Sequence, residues 1–167
     1  MTTRHSFRAL SWRVFCAVWV VATAALLYHF TFGNYGEFDP QQRWLDAQPS
    51  LTLSALDLPP QQGLTLVHVR RSFCSCNPLA DNHRDSVPDQ VEQHQLDITR
   101  VEAAGFSMPA SPAALIFDGD ELIYAGPYAS GALCSVENSL IEDILVGQQR
   151  LAGPFLNGLV KACRCLS

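Results

Sequence analysis

Hydrophobic and polar positions along the chain change character three times. From Val14 to Phe32 the sequence is apolar apart from Thr23, His29 and Thr31, and it contains no Asp, Glu, Lys or Arg. At roughly 1.5 Å per helical residue this run is about long enough to cross a hydrocarbon core of roughly 30 Å. It predicts one transmembrane helix over 14–32, after a short N-terminal segment, 1–13. Residues 33–60 come next as a mixed, Pro-containing stretch that reads as a linker. Within it, Phe38-Asp39-Pro40 and Trp44-Leu45 hint at a short helix packed on the C-terminal domain, and Pro59-Pro60-Gln61-Gln62-Gly63 is a breaker cluster. The remainder, 61–167, reads as that one domain.

Inside the domain the periodicity alternates between strand-like and helical. Leu64–Arg70 is a short β-branched run of the kind found in buried strands. Asn77-Pro78 is a helix start, and the helix is expected to run through Leu79 and His83 and break near Pro88. Asp97–Val101 is expected to be a second strand, Ala113–Phe117 a third and Glu121–Ala125 a fourth, with Asp118-Gly119-Asp120 as the hairpin turn between the last two. Val136–Gln149 carries Leu140, Ile141, Ile144 and Leu145 at helical spacing. The order strand, helix, strand, strand, strand, helix predicts an α/β sandwich.

Charge orients the chain. All 16 acidic residues lie from Glu37 onward, whereas Arg4, Arg8 and Arg13 precede the apolar run. The positive-inside rule therefore expects 1–13 in the cytoplasm and the domain outside, which in a bacterium makes a single-pass inner-membrane protein with a periplasmic domain. A cleaved signal peptide is the rival reading, with cleavage at Ala22-Thr23-Ala24-Ala25. It would leave the apolar Leu26, Leu27, Tyr28 and Phe30 at the new terminus. Three of the 11 basic residues precede the apolar run, so the rest of the chain carries eight against 16 acidic, a net charge of −8. That balance excludes nucleic acid as a partner, because such binding depends on basic groups neutralising phosphates.

The element order, cysteines just after the first strand, and Ser111-Pro112 before the third together resemble the thioredoxin fold. The resemblance implies a thioredoxin-like α/β sandwich with Cys74 and Cys76 as its dithiol and Pro112 as a cis-proline facing it. Phe73-Cys74-Ser75-Cys76-Asn77, Ser111-Pro112-Ala113-Ala114 and Gly126–Gly131 with Cys134 are, more narrowly, similar to an uncharacterised bacterial family of membrane-anchored thioredoxin-like proteins. The sequence departs from the usual Cys-x-x-Cys in having one residue between the thiols.

Six cysteines, five of them beyond the apolar run, suit an oxidising compartment. A thiolate at a helix N-terminus is stabilised by the helix dipole and free N–H groups, and Arg70 and Arg71 add positive charge nearby. Cys74 is expected to be the nucleophile and Cys76 its resolving partner, with a Cys74–Cys76 disulfide, if formed, as the reactive bond. Cys163-Arg164-Cys165 repeats the spacing and Cys134 stands alone. Three arrangements stay open: structural disulfides among these thiols, a relay between the two Cys-x-Cys pairs, or a four-thiolate site for Zn²⁺ or Cu(I). His83 and His94 are further candidate copper ligands, and His68 is expected to be a satisfied core residue. The leading expectation is a thiol–disulfide oxidoreductase acting on thiols or disulfides of exported proteins without a cofactor. The rivals are a thiolate carrier of a metal ion and a non-catalytic envelope interaction protein. No phosphate loop, zinc-protease helix or serine elbow is present.

Overall fold

A computed structural model describes residues 3–47, 50–131 and 134–167; parts of the expected N-terminal segment 1–13 and linker 33–60 lie outside the described residues. The chain forms two compact units, Met1–Gly33 and Asn34–Ser167. The first is one helix, α1 (Thr3–Phe32). Its Ser11–Phe30 segment, with mean hydropathy 1.6, is long and apolar enough to cross a membrane. Thr23 Oγ1 donates to the Trp19 carbonyl at 2.8 Å, so the hydroxyl is satisfied within the helix.

The second unit begins with β1 (Tyr35–Glu37) and a single 3₁₀ turn at Ser54–Leu56. It continues through β2 (Leu64–Arg70), α2 (Asn77–Asp85), β3 (Glu92–Asp97) and α3 (Ile98–Ala103). Then come β4 (Ala110–Ser111), β5 (Ala113–Asp118), β6 (Glu121–Gly126) and, after a second 3₁₀ turn at Val136–Asn138, α4 (Leu140–Leu145). The C-terminal residues form β7 (Phe155–Leu156), β8 (Lys161–Cys163) and β9 (Cys165–Leu166). The central sheet has the order β3-β2-β5-β6-β7. β2 runs parallel to β3 and antiparallel to β5, β5 antiparallel to β6, and β6 parallel to β7. The fold is the expected α/β sandwich with a mixed central sheet.

The two-residue alternation of side chains along the strands divides the core. Val67 and Val69 of β2 and Leu115 and Phe117 of β5 point to one face, where they meet Phe38, Trp44, Leu53, Leu56, Ile98, Val101 and Met108. Leu66, Ile116 and Tyr124 point to the other, under Ala80 of α2 and Ile141, Ile144 and Leu145 of α4.

Three sequence expectations are corrected or redrawn. Residues 98–101 are not a strand: β3 ends at Asp97, whose Oδ1 accepts from Thr99 N at 3.0 Å and Thr99 Oγ1 at 2.7 Å, and this cap starts α3. The helix expected over 136–149 is only Leu140–Leu145, preceded by the 3₁₀ turn and followed by Gly147 at φ +76°. Thirdly, Phe38 and Trp44 pack on the domain as their sequence hinted, but the short helix expected there does not form: the described residues 38–47 are turns and irregular backbone. Phe38 and Leu53 are fully buried, the Trp44 amide donates to Asp39 Oδ2 at 2.7 Å and the Trp44 indole to the Ser107 carbonyl at 2.7 Å. Leu53 N and Ser54 N are held by the Asp120 carbonyl (3.2 Å) and Oδ1 (2.9 Å). The Trp44 indole, Leu53 and Ser54 are held by groups more than 60 residues away, which no local period announces.

Candidate thiol site

β2 delivers the chain to a tight loop at the start of α2. Asn77 Nδ2 donates to the Arg71 carbonyl at 2.9 Å and Asn77 N to the Cys74 carbonyl at 3.1 Å, closing the loop. Cys76 is the N-cap of α2, its carbonyl accepting from Leu79 N and Ala80 N at 3.2 Å, with Pro78 in the first turn. Cys74 lies just before that cap. Phe73, between Arg71 and the cysteines, is fully exposed at φ +63°, a left-handed conformation unusual for a bulky residue.

Across from the loop, β4 leads into β5 through a cis Ser111–Pro112 peptide. Cys74 Sγ lies 3.5 Å from the Ser111 carbonyl oxygen, a contact that becomes a hydrogen bond when the sulfur is a thiol. Cys74, Cys76 and Pro112 are thus together.

The C-terminal strands bring the second Cys-x-Cys to the same place. β8 pairs antiparallel with β1, setting Cys163 opposite Tyr35, and β9 pairs antiparallel with β4, setting Cys165 opposite Ser111. Cys74 is bonded to Cys165 and Cys76 to Cys163, with Cα separations of 5.9 and 5.7 Å. The bond considered from sequence, Cys74–Cys76, is therefore not the one present. The sulfurs of Cys74, Cys76 and Cys165 nevertheless lie within 4.8 Å of one another. Cys76 is the deepest at 1% exposure, Cys74 and Cys163 are also buried, and Cys165 is half-buried, the most accessible of the four.

Both x residues are tied to Asn34. Its side-chain amide donates to Ser75 Oγ at 2.6 Å, and its carbonyl accepts from Arg164 N at 2.7 Å. Arg164 Nε also donates to the Glu37 carbonyl, and Arg71 Nη1 donates to the Leu166 carbonyl. Burial pushes the Arg164 guanidinium below its ordinary value, with Glu37 acting in the opposite sense. Arg70 pairs with Asp81, so its charge is partly neutralised. Arg70, Arg71, Asn77, Gln95 and Asp97 line a cleft of about 260 Å³ beside the loop.

The other sequence candidates lie elsewhere. Cys134 is a buried free thiol whose pKa burial pushes up. His83 Nε2 donates to the Cys134 carbonyl at 2.8 Å, and the His83 ring packs on Tyr128. His68 is the expected core residue: Tyr128 Oη donates to Nδ1 at 2.5 Å, and Nε2 donates to Gln93 Oε1 at 2.9 Å. Burial lowers the His68 pKa to about 4, which fits the neutral tautomer these bonds require. His94 faces Glu92 at 3.7 Å. Among the described residues, no histidine joins the sulfur cluster.

Sequence reasoning did not single out Asn34, and nothing local marks it. It also left the partners of Cys163 and Cys165 open: the repeated Cys-x-Cys spacing marks two pairs of thiols but not which sulfur meets which.

Fold and site together define a class: an α/β domain, following an apolar helix, that gathers two Cys-x-Cys segments into adjoining disulfides. Residues 42–167, most of the chain, match the family described as a domain of unknown function, DUF6436, and the chain belongs to that family. It matches none of the curated proteins with which it was compared.

Proposed function

We propose that this is a membrane-anchored, thioredoxin-like thiol–disulfide oxidoreductase whose domain lies outside the cytoplasm and acts on exported proteins. The observation that carries the proposal is the Cys74–Cys165 bond, placed beside the N-terminus of α2 and against Ser111-Pro112, with a half-buried sulfur at Cys165. The strand order and directions of β3, β2, β5 and β6 support the thioredoxin-like reading. The disulfides support an oxidising compartment, as do the arginines before the apolar helix and the acidic residues after it.

The chemistry is two successive displacements. A substrate thiolate attacks Cys165 Sγ, the substrate–Cys165 bond forms, and Cys74 leaves as a thiolate near the positive end of α2. A second substrate thiolate then attacks the substrate sulfur of that mixed disulfide and releases Cys165. The substrate dithiol is oxidised to a disulfide and the Cys74/Cys165 pair is reduced; the reverse sequence reduces a substrate disulfide. Exposed Phe73 beside Cys74 offers an apolar contact to an incompletely folded chain.

The test is a titration of the full chain against glutathione redox buffers, with peptide mapping of trapped thiols. A Cys74/Cys165 couple that opens and closes reversibly is expected. A bond that stays closed across the series, or opens only on unfolding, overturns the reading.

The grouping of three sulfurs within 4.8 Å favours one second reading: once reduced, they suit a thiophilic ion such as Zn²⁺ or Cu(I). Metal analysis of the reduced full chain tests it; stoichiometric metal lost in Cys76→Ser supports a carrier, and metal-free protein rejects it.

A further inference from the structure

We propose that the two disulfides are a relay, in which Cys74 passes electrons taken from a substrate dithiol to the buried Cys76–Cys163 bond. The inference rests on the oxidoreductase reading and extends it to Cys76 and Cys163, which no substrate needs to touch.

The geometry that carries it is the identity of the three adjoining sulfurs. Relaying between two disulfides requires one sulfur of the outer pair to reach one sulfur of the inner pair, and then the other outer sulfur to close back. Those are Cys74, Cys76 and Cys165, the three within 4.8 Å of one another, whereas the fourth, Cys163, need only leave. Burial orders the pairs in the same sense: Cys165 is half-buried and Cys76 is 1% exposed, so a protein substrate meets the outer bond first.

The steps balance without any further reagent. With Cys74/Cys165 reduced, the Cys74 thiolate attacks Cys76 Sγ, forming Cys74–Cys76 and releasing Cys163 as a thiolate. The Cys165 thiolate then attacks Cys74 Sγ, restoring Cys74–Cys165 and releasing Cys76 as a thiolate. One dithiol has become a disulfide and one disulfide a dithiol, with two electrons moved inward. The released Cys76 is the N-cap of α2, where the helix dipole favours the anion and makes it a good leaving group. Asn34 holds the centres of both Cys-x-Cys segments, so the two segments stay side by side while the sulfurs move to rearrange their bonds. The Cys74–Cys76 bond considered from sequence thus returns as an intermediate.

Single variants of the full chain trap it. In Cys165→Ser, Cys74 is left as a thiol beside Cys76–Cys163; in Cys163→Ser, Cys76 is left beside Cys74–Cys165. Peptide mapping after acid quench is expected to show a Cys74–Cys76 bond in both, with Cys163 and Cys165 respectively released. Only native pairings in both variants overturn the relay.

A second measurement avoids dependence on single-variant folding. In Cys74→Ser/Cys165→Ser, which keeps the inner bridge, a reduced peptide dithiol is expected to open Cys76–Cys163 at least tenfold more slowly than in the wild type. Equal rates overturn the relay. Wild-type protein that exchanges Cys74/Cys165 with glutathione but fails these tests retains the oxidoreductase function and loses only the relay.

Discussion

Cys74 and Cys165 stand 91 residues apart in sequence and 5.9 Å apart at Cα, and the Cys76–Cys163 bond is nested immediately inside their loop, at a separation of 87. Either bond alone therefore closes nearly the same long loop, and the second adds only a short one. Loop-closure entropy predicts that losing one bridge costs about 2 kcal/mol and losing both on the order of 6 kcal/mol. Denaturant melts of Cys74→Ser/Cys165→Ser, Cys76→Ser/Cys163→Ser and the fourfold serine variant check this. Equal, additive losses would show that local packing, not chain closure, dominates.

Stability should fall on acidification through His68. Its ordinary value is 6.5 and burial lowers it to about 4 in the fold. The unfolded chain thus takes up a proton below pH 6.5 that the folded chain refuses until about pH 4. His68 places no penalty on folding above 6.5, and its penalty grows as pH falls between those values, to about 3 kcal/mol. Stability curves at pH 7, 5.5 and 4 for the wild type and His68→Gln test it: the variant is expected to show a shallower pH slope.

Tyr128→Phe should be costly by itself. The change leaves His68 Nδ1 buried without its donor, which predicts a loss of about 1–3 kcal/mol in urea melts at pH 7. A change within about 0.5 kcal/mol would mean that His68 reorients.

Trp44 packs into the sandwich, as its sequence hinted. It is 5% exposed, packs between Phe38 and Phe106 and spends its indole N–H on the Ser107 carbonyl. Trp44→Ala is expected to cost about 3–5 kcal/mol. A fragment beginning at Asn34 should melt cooperatively by circular dichroism, and one beginning at Gln61 should not.

Cys134 should stay silent in exchange. Its thiol is buried and burial raises its pKa, so a small thiol reagent is expected to label it in the oxidised domain only as fast as the domain opens. Labelling in denaturant should be faster by at least tenfold, and Cys134→Ser should leave glutathione exchange at Cys74 unchanged.

How much of this could be read beforehand depends on the range of each interaction. The apolar run needs only its own residues, because a chain crossing lipid must satisfy its backbone internally. The core strands are equally local: Val67 and Val69 against Leu66 and His68 already write a two-sided sheet into β2. The Asn77-Pro78 helix start and the Asp118-Gly119-Asp120 turn are short-range for the same reason. Asp97 misled because a single capping carboxylate outweighed a β-branched run.

The sulfur site was half legible. That Cys74 and Cys76 stand at the start of a helix comes from the local Asn77-Pro78 signal, whereas Pro112 opposite them was implied only by the resemblance to the thioredoxin fold. Which sulfur bonds to which has no local signal, because two identical Cys-x-Cys spacings are equivalent until β9 pairs with β4 and β8 with β1. Those pairings join residues more than 50 apart, as does Trp44 with Ser107. By itself the sequence determined an apolar helix, an α/β domain and a thiol at a helix start, since each arises from neighbours along the chain. Tertiary structure decided the partners of the sulfurs and the role of residues 34–58, because both depend on distant segments meeting.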